Sequence, residues 1–209
     1  EIIVLDNCSS DSTLEILSKY EKVRIINIPL NEFNHGLTRN IGIREARGDL
    51  IAFTVGDAWP ADKFWLENLC SGFDDLNVAG VCGQQIVPHD LDKNPVKWFR
   101  PATGPTTRKI LFENPEKFYL LSSKEKRELC GWDNVTAMYK KDVMTKVPFQ
   151  NTLYAEDMIW AKEALLKGYA IVYNSAARVC HYHDYDMQSA FERFFIEYYY
   201  SYKTFGALP

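Results

Sequence analysis

The strongest constraint in this sequence is a repeated alternation of short β-branched runs with helix-forming stretches, in which two of the runs lead into an aspartate. Ile2–Leu5 ends on Asp6, and Ile51–Val55 leads through Gly56 to Asp57. Ser12-Thr13-Leu14-Glu15 has the spacing of a capping box and starts a helix that reaches about Tyr20. Val23–Ile28 reads as a second strand, stopped by Pro29, and 36–47 as a helix ended by Gly48. A third strand spans 50–55. Pro60 suits the first turn of a helix running to about Gly72. Val78–Val87 reads as a fourth strand, 134–138 as a fifth, 155–168 as a helix ended by Gly168, and Tyr169–Tyr173 as a further short strand. This order predicts an α/β fold with a mainly parallel sheet, right-handed crossovers and flanking helices. The opening strand needs a neighbour on its open edge, so a strand preceding Glu1 is expected.

Two segments depart from the rhythm. Residues 88–130 carry Pro88, Pro95, Pro101, Pro105 and Pro115, and read as an irregular excursion, either a lid on the acceptor side or a plain surface loop. Residues 186–204 read as a C-terminal amphipathic helix. Phe191, Phe194, Phe195, Tyr198 and Tyr199 recur at helical spacing on one face, which predicts a core stripe or else a dimer or membrane-surface contact. The whole of 1–209 is expected to be one catalytic domain.

Bulk properties exclude several classes. A net charge of -4 argues against a nucleic-acid surface. No apolar run approaches the roughly 20 residues that span a bilayer. The five cysteines contain no CxxC pair, which fits a reducing cytoplasm better than a disulfide or zinc framework.

Ligands of open α/β sheets bind beyond the carboxyl ends of strands, where Asp6 and Asp57 stand. An aspartate there can also cap the following helix, so neither residue alone decides the matter. Five ordered motifs do more. Ile3-Val4-Leu5-Asp6-Asn7-Cys8-Ser9-Ser10-Asp11-Ser12-Thr13 is followed by Glu32-Phe33-Asn34-His35-Gly36-Leu37-Thr38-Arg39-Asn40-Ile41-Gly42. Then come Phe53-Thr54-Val55-Gly56-Asp57-Ala58-Trp59-Pro60, Tyr154-Ala155-Glu156-Asp157 and Val179-Cys180-His181-Tyr182-His183-Asp184-Tyr185. Together they resemble family 2 glycosyltransferases of the GT-A type, and within them the rhamnosyltransferase-like members. The family's first strand is absent from this sequence, and Val55 stands where many members carry the first acid of their DxD motif.

The resemblance implies an inverting transfer of a sugar, rhamnose being the one it points to, from a nucleotide-sugar donor to a saccharide or lipid-linked acceptor in cell-surface polysaccharide synthesis. It implies Asp157 as the base, with Glu156 beside it about 100° around the helix. Asp6, Arg39, Asn40 and Asp57 would meet the nucleotide sugar, and Asp133 the acceptor. Asp57, His181 and His183 would hold Mg²⁺ or Mn²⁺; the two histidines alternate on an extended segment and so share a face. A cytoplasmic location follows, at the inner face of the membrane if the acceptor is lipid-linked. Plainer readings stand beside these. His35 can serve only its turn, Arg39 a surface ion pair, and Glu156 and Asp157 a favourable helix N-terminus. Three other functions share this pattern: a non-catalytic module binding carbohydrate or nucleotide sugar, a sugar-phosphate nucleotidyltransferase, and a structural interaction protein, to which the aromatic C-terminus points. The second needs a Gly-rich phosphate loop, and no G-x-G-x-x-G occurs here.

Overall fold

A computed structural model of the chain describes residues 1–87, 104–183 and 185–207. In chain order the elements are β1 (Ile2–Asp6), α1 (Thr13–Leu17), β2 (Val23–Asn27), α2 (His35–Glu45), β3 (Leu50–Phe53), β4 (Trp59–Pro60), α3 (Trp65–Cys70) and β5 (Val78–Ile86). There follow β6 (Thr107–Ile110), α4 (Lys117–Leu120), α5 (Ser123–Leu129), β7 (Ala137–Lys140), α6 (Lys141–Lys146), α7 (Glu156–Leu166), β8 (Ala170–Cys180) and α8 (Met187–Phe205).

The α/β architecture follows the expectation, but the sheet is mixed rather than mainly parallel. β1 and β2 form a parallel pair of their own. The larger sheet runs β3-β7-β5-β8-β4, with β6 also on β8, and only β5–β8 is parallel in it. The cause is β7, which lies antiparallel between β3 and β5 and is reached through the long connection after β5, not through a helical crossover. Asp6 and Asp57 therefore belong to different sheets. Of the 88–130 excursion, 88–103 lies outside the described residues. The remainder is not irregular: it holds β6, α4 and α5.

Alternation along the strands builds a core on each face. Ala79, Cys82, Ala137, Tyr139 and Ile171 face α7, where Trp160 and Leu165 are fully buried. Val78, Val81, Met138 and Val172 face Leu69 of α3. On the α7 side Trp132, Tyr139, Trp160 and Tyr173 interlock, with ring centroids 4.6–5.3 Å apart between Tyr139 and Trp160, Trp132 and Trp160, and Trp132 and Tyr173.

Other local expectations are corrected. Pro60 starts no helix; Trp59 and Pro60 pair with Cys180 and Val179 as a short edge strand, where proline's missing N–H costs nothing, and α3 begins only at Trp65. Ser12 makes no capping bond, its backbone (φ -72°, ψ 6°) lying outside the extended conformation of an N-cap, and Asp11 accepts from the amide of Thr13. A capping box is instead formed by Ser122 with Glu125, at α5. The Tyr169–Tyr173 strand extends to Cys180, far enough to deliver His181 and His183 beyond its end.

α8 forms as expected, but its aromatic stripe does not enter the core. Phe191, Phe194, Phe195, Tyr198 and Tyr199 are all exposed, and Tyr200, Ser201 and Phe205 make the packing face instead. No described helix is long and apolar enough to cross a membrane. Phe195→Ser should consequently shift stability by no more than about 0.5 kcal/mol, the range of surface changes. A thermal-melt loss of the size a buried Phe produces, about 3–5 kcal/mol, would put the stripe back into a core.

Candidate active site

The site lies along one edge of the larger sheet. β5 and β8 run parallel, and β3 runs antiparallel to β7. The ends of β3, β5 and β8 and the start of β7 therefore share that edge, and the segments holding Asp57, Gln85, Asn134 and His181 emerge there.

The β4–β8 pairing folds the Asp57 turn against the end of β8. Nε2 of His181 and Nε2 of His183 each lie 3.5 Å from a carboxylate oxygen of Asp57. One ligand atom from each of the three residues fits within a mutual distance of 4.8 Å. Two donors bound to one cation at about 2.1 Å are separated by roughly 3.0–3.5 Å at ordinary coordination angles, which the two Asp57–histidine distances match. A set of two imidazoles and one carboxylate suits Mn²⁺ better than Mg²⁺, which prefers oxygen. Gln85, a polar residue near the end of a largely buried strand, accepts from Nδ1 of His181 at 2.8 Å. With Nδ1 engaged by Gln85, Nε2 is the ring nitrogen that faces Asp57 and would meet a cation there. Sequence reasoning missed Gln85, although a Gln-Gln pair closing the apolar run Val78–Cys82 was a signal that the strand end does more than pack.

The second group of residues centres on the start of α7. Arg39 donates to Glu156 at 2.7 Å, with the two side chains 15% and 7% exposed, and also to the His35 carbonyl. Nδ2 of Asn134 donates to the same Glu156 oxygen at 3.0 Å. Asp157 accepts instead from the main-chain N–H of Asn134 at 3.3 Å and from Met158 at 2.7 Å. The two acids thus point at different partners, as their offset around the helix predicts. Burial, then the neighbouring Glu156 and Asp133 carboxylates, push the Asp157 carboxyl up to about 8. Asp133 stands one residue before Asn134 and caps its own turn through the Val135 amide.

The Asn34–Gly42 motif turns out to be a clamp on this segment. Asn34 caps α2 through Gly36 and Leu37, and its amide reaches Asn151 and Thr152. Asn40 exchanges two hydrogen bonds with the Phe149 backbone, so both ends of its amide are taken. A Cβ on Gly36 would stand 2.3 Å from the Gln150 carbonyl, which explains the glycine. Arg39 completes the clamp on Glu156. These contacts hold the stretch that leads into Asp157. Asp6 is buried at the end of β1 and is bonded to Ser9. Beside it Oδ1 of Asn7 is buried, with no hydrogen-bond partner among the described residues. Cys8, φ 56°, and Ala155, φ 64°, are the non-glycine residues in left-handed conformation among those described. One follows Asp6 by two and the other precedes Glu156, the kind of place where backbone strain gathers.

Comparison with known proteins identifies the family and the fold. The family model for glycosyl transferase family 2 matches residues 1–146. The chain is 32% identical over 203 residues to the O-antigen chain rhamnosyltransferase RfbN of Salmonella typhimurium, covering 93% of this chain and 61% of that protein. It is 33% identical to WbaN of Salmonella anatum, at 93% and 60%. It therefore spans about three-fifths of these relatives. Among solved structures it superposes on Staphylococcus aureus TarS in complex with UDP-GlcNAc with a TM-score of 0.60, at 19% identity, 90% of this chain and 51% of that one. For the Pyrobaculum calidifontis mannosyltransferase PcManGT in complex with GDP-Man and Mn²⁺ the TM-score is 0.61, at 16% identity, 91% and 50%. Those likenesses establish the GT-A fold. With the ordered motifs, the sheet-edge acids and a family match over residues 1–146, this chain belongs to glycosyl transferase family 2.

Proposed function

We propose that the chain is the catalytic part of an inverting glycosyltransferase that moves a sugar, rhamnose in the reading its Salmonella relatives favour, from a nucleotide-sugar donor to a saccharide or lipid-linked acceptor in cell-surface polysaccharide synthesis. The observation that carries this reading is the Asp57–His181–His183 cluster, at the sheet edge where Asn134, whose main-chain N–H donates to Asp157, also stands. A divalent cation held there would neutralise charge on the departing nucleoside diphosphate. Asp57, His181 and His183 would hold it, while Asp6 and Oδ1 of Asn7, which has no hydrogen-bond partner among the described residues, would offer acceptors to the nucleoside. Asp157 would take the proton of the acceptor hydroxyl as its oxygen bonds to the anomeric carbon and the diphosphate oxygen leaves from the opposite face. Arg39 and Asn40 act in this reading mainly by holding the segment that carries Asp157. The outward aromatic face of α8 supports a contact with the inner membrane surface that bears a lipid-linked acceptor, or with a second copy of the chain.

A thermal-shift panel of UDP-, GDP- and dTDP-sugars with Mn²⁺ tests the proposal. A ligand of the native state at 100 times its Kd stabilises by about 2.7 kcal/mol. One nucleotide class should raise Tm by several degrees with the cation and much less in EDTA. No shift with any nucleotide sugar would remove the proposal.

A further inference from the structure

Buried behind the candidate base is a continuous hydrogen-bonded chain that the transfer chemistry does not itself require. Nε1 of Trp132 donates to the Tyr139 hydroxyl at 2.7 Å, and that hydroxyl donates to Oδ1 of Asn134. The Asn134 amide then donates to Glu156, which Arg39 holds from the other side. Tyr139 and Asn134 are almost wholly buried, and Trp132 and Glu156 nearly so. A polar chain at this depth is maintained only when every member is satisfied, and here donors and acceptors alternate without a break. An aliphatic core at this position would pack as well. The chain's outlet is the main-chain N–H of Asn134, which donates to Asp157.

We infer that Asn134 is a positioning residue for Asp157: its side chain, locked between the Tyr139 hydroxyl and Glu156, holds the residue so that its main-chain N–H points at the Asp157 carboxylate and fixes the base toward the acceptor. This rests on the assignment of Asp157 as base. Glu156 from α7, Asp133 from the turn before β7, Arg39 from α2, Cys82 from β5 and the phenols of Tyr139, Tyr154 and Tyr173 all act electrostatically with Asp157. A change in the lock therefore acts on a crowded site, where a small displacement of the carboxylate changes both its reach and its protonation.

Tyr139→Phe tests the lock, because it removes one oxygen and keeps the packed ring. Release of nucleoside diphosphate is measured from dTDP-rhamnose, UDP-GlcNAc and GDP-mannose with Mn²⁺, for the parent, Tyr139→Phe, Asp157→Asn and the double variant. Tyr139→Phe should lower kcat about 10-fold and leave donor affinity within 2-fold. In the Asp157→Asn background it should cost nothing further, because a residue acting through Asp157 has no route once the base is gone. Asn134→Asp, which sets a carboxylate against Glu156, should move the acid limb of the kcat profile upward. An equal loss from Tyr139→Phe in both backgrounds, or no loss in either, overturns the inference. Full turnover by Asp157→Asn would instead overturn the base assignment, and no release by the parent with any of the three donors would overturn the proposed function and this inference with it.

Discussion

Asp157→Asn is expected to lower turnover by roughly 10²-fold or more while leaving donor binding nearly intact, the usual cost of removing a positioned base. The same substitution should make the protein more stable at neutral and higher pH. The Asp157 carboxyl is held near 8 by burial and by Glu156 and Asp133, whereas in an unfolded chain it titrates near 4. Between those values the native state keeps a proton that the unfolded chain has released, so stability falls as pH rises through the window. Asparagine does not titrate, so the Tm gap between variant and parent should be near zero at pH 4, open between 4 and 8, and be widest above 8. For a chain of this size each kcal/mol corresponds to about 2–4 °C. The catalytic rate should rise with pH toward about 8, because only the deprotonated carboxylate accepts the proton. A variant that is slower at every pH but no more stable at pH 8 would show that Asp157 is not the strained, buried acid described here.

Asp57→Ala should abolish the Mn²⁺-dependent part of nucleotide-sugar binding and with it most of the transfer activity. The Asp57 side chain is 52% exposed and faces the two histidines, so the melting temperature of the free protein should barely change. His181→Ala should resemble it. Gln85→Ala should be milder, lowering cation affinity about 10–100-fold, because Gln85 orients a ligand without being one. Titration of Mn²⁺ in the presence of the stabilising nucleotide separates these cases. Unchanged cation dependence in Asp57→Ala would move the metal elsewhere.

What could be read in the sequence was what local chemistry decides. The strand end at Asp6, the turn beyond β3 that carries Asp57, the helical start at Glu156 and the alternation of His181 with His183 each follow from periodicity and turn residues. The antiparallel insertion of β7 was not legible, because nothing local to 137–140 states which strand it will pair with. Pro60 suits a helix start as well as an edge strand, and the choice was made by β8, more than a hundred residues away. Gln85 and Tyr139 join the site only through partners distant in sequence or depth. The α8 stripe has the right spacing for a core, yet spacing reports a face and not what the face meets. Arg39 and Asn40 were assigned to the nucleotide by resemblance, whereas their contacts run to Glu156 and Phe149.

The most direct test is release of free nucleoside diphosphate from a stabilising nucleotide sugar, followed with Mn²⁺, with EDTA, and with Asp57→Ala. Catalysis at the Asp57–His181–His183 edge predicts release that requires the cation, rises with pH toward about 8 and is lost in Asp57→Ala. A nucleotide sugar that binds but stays intact under every metal and pH condition, with acceptor saccharides present or absent, would contradict it and leave a binding module in place of a transferase.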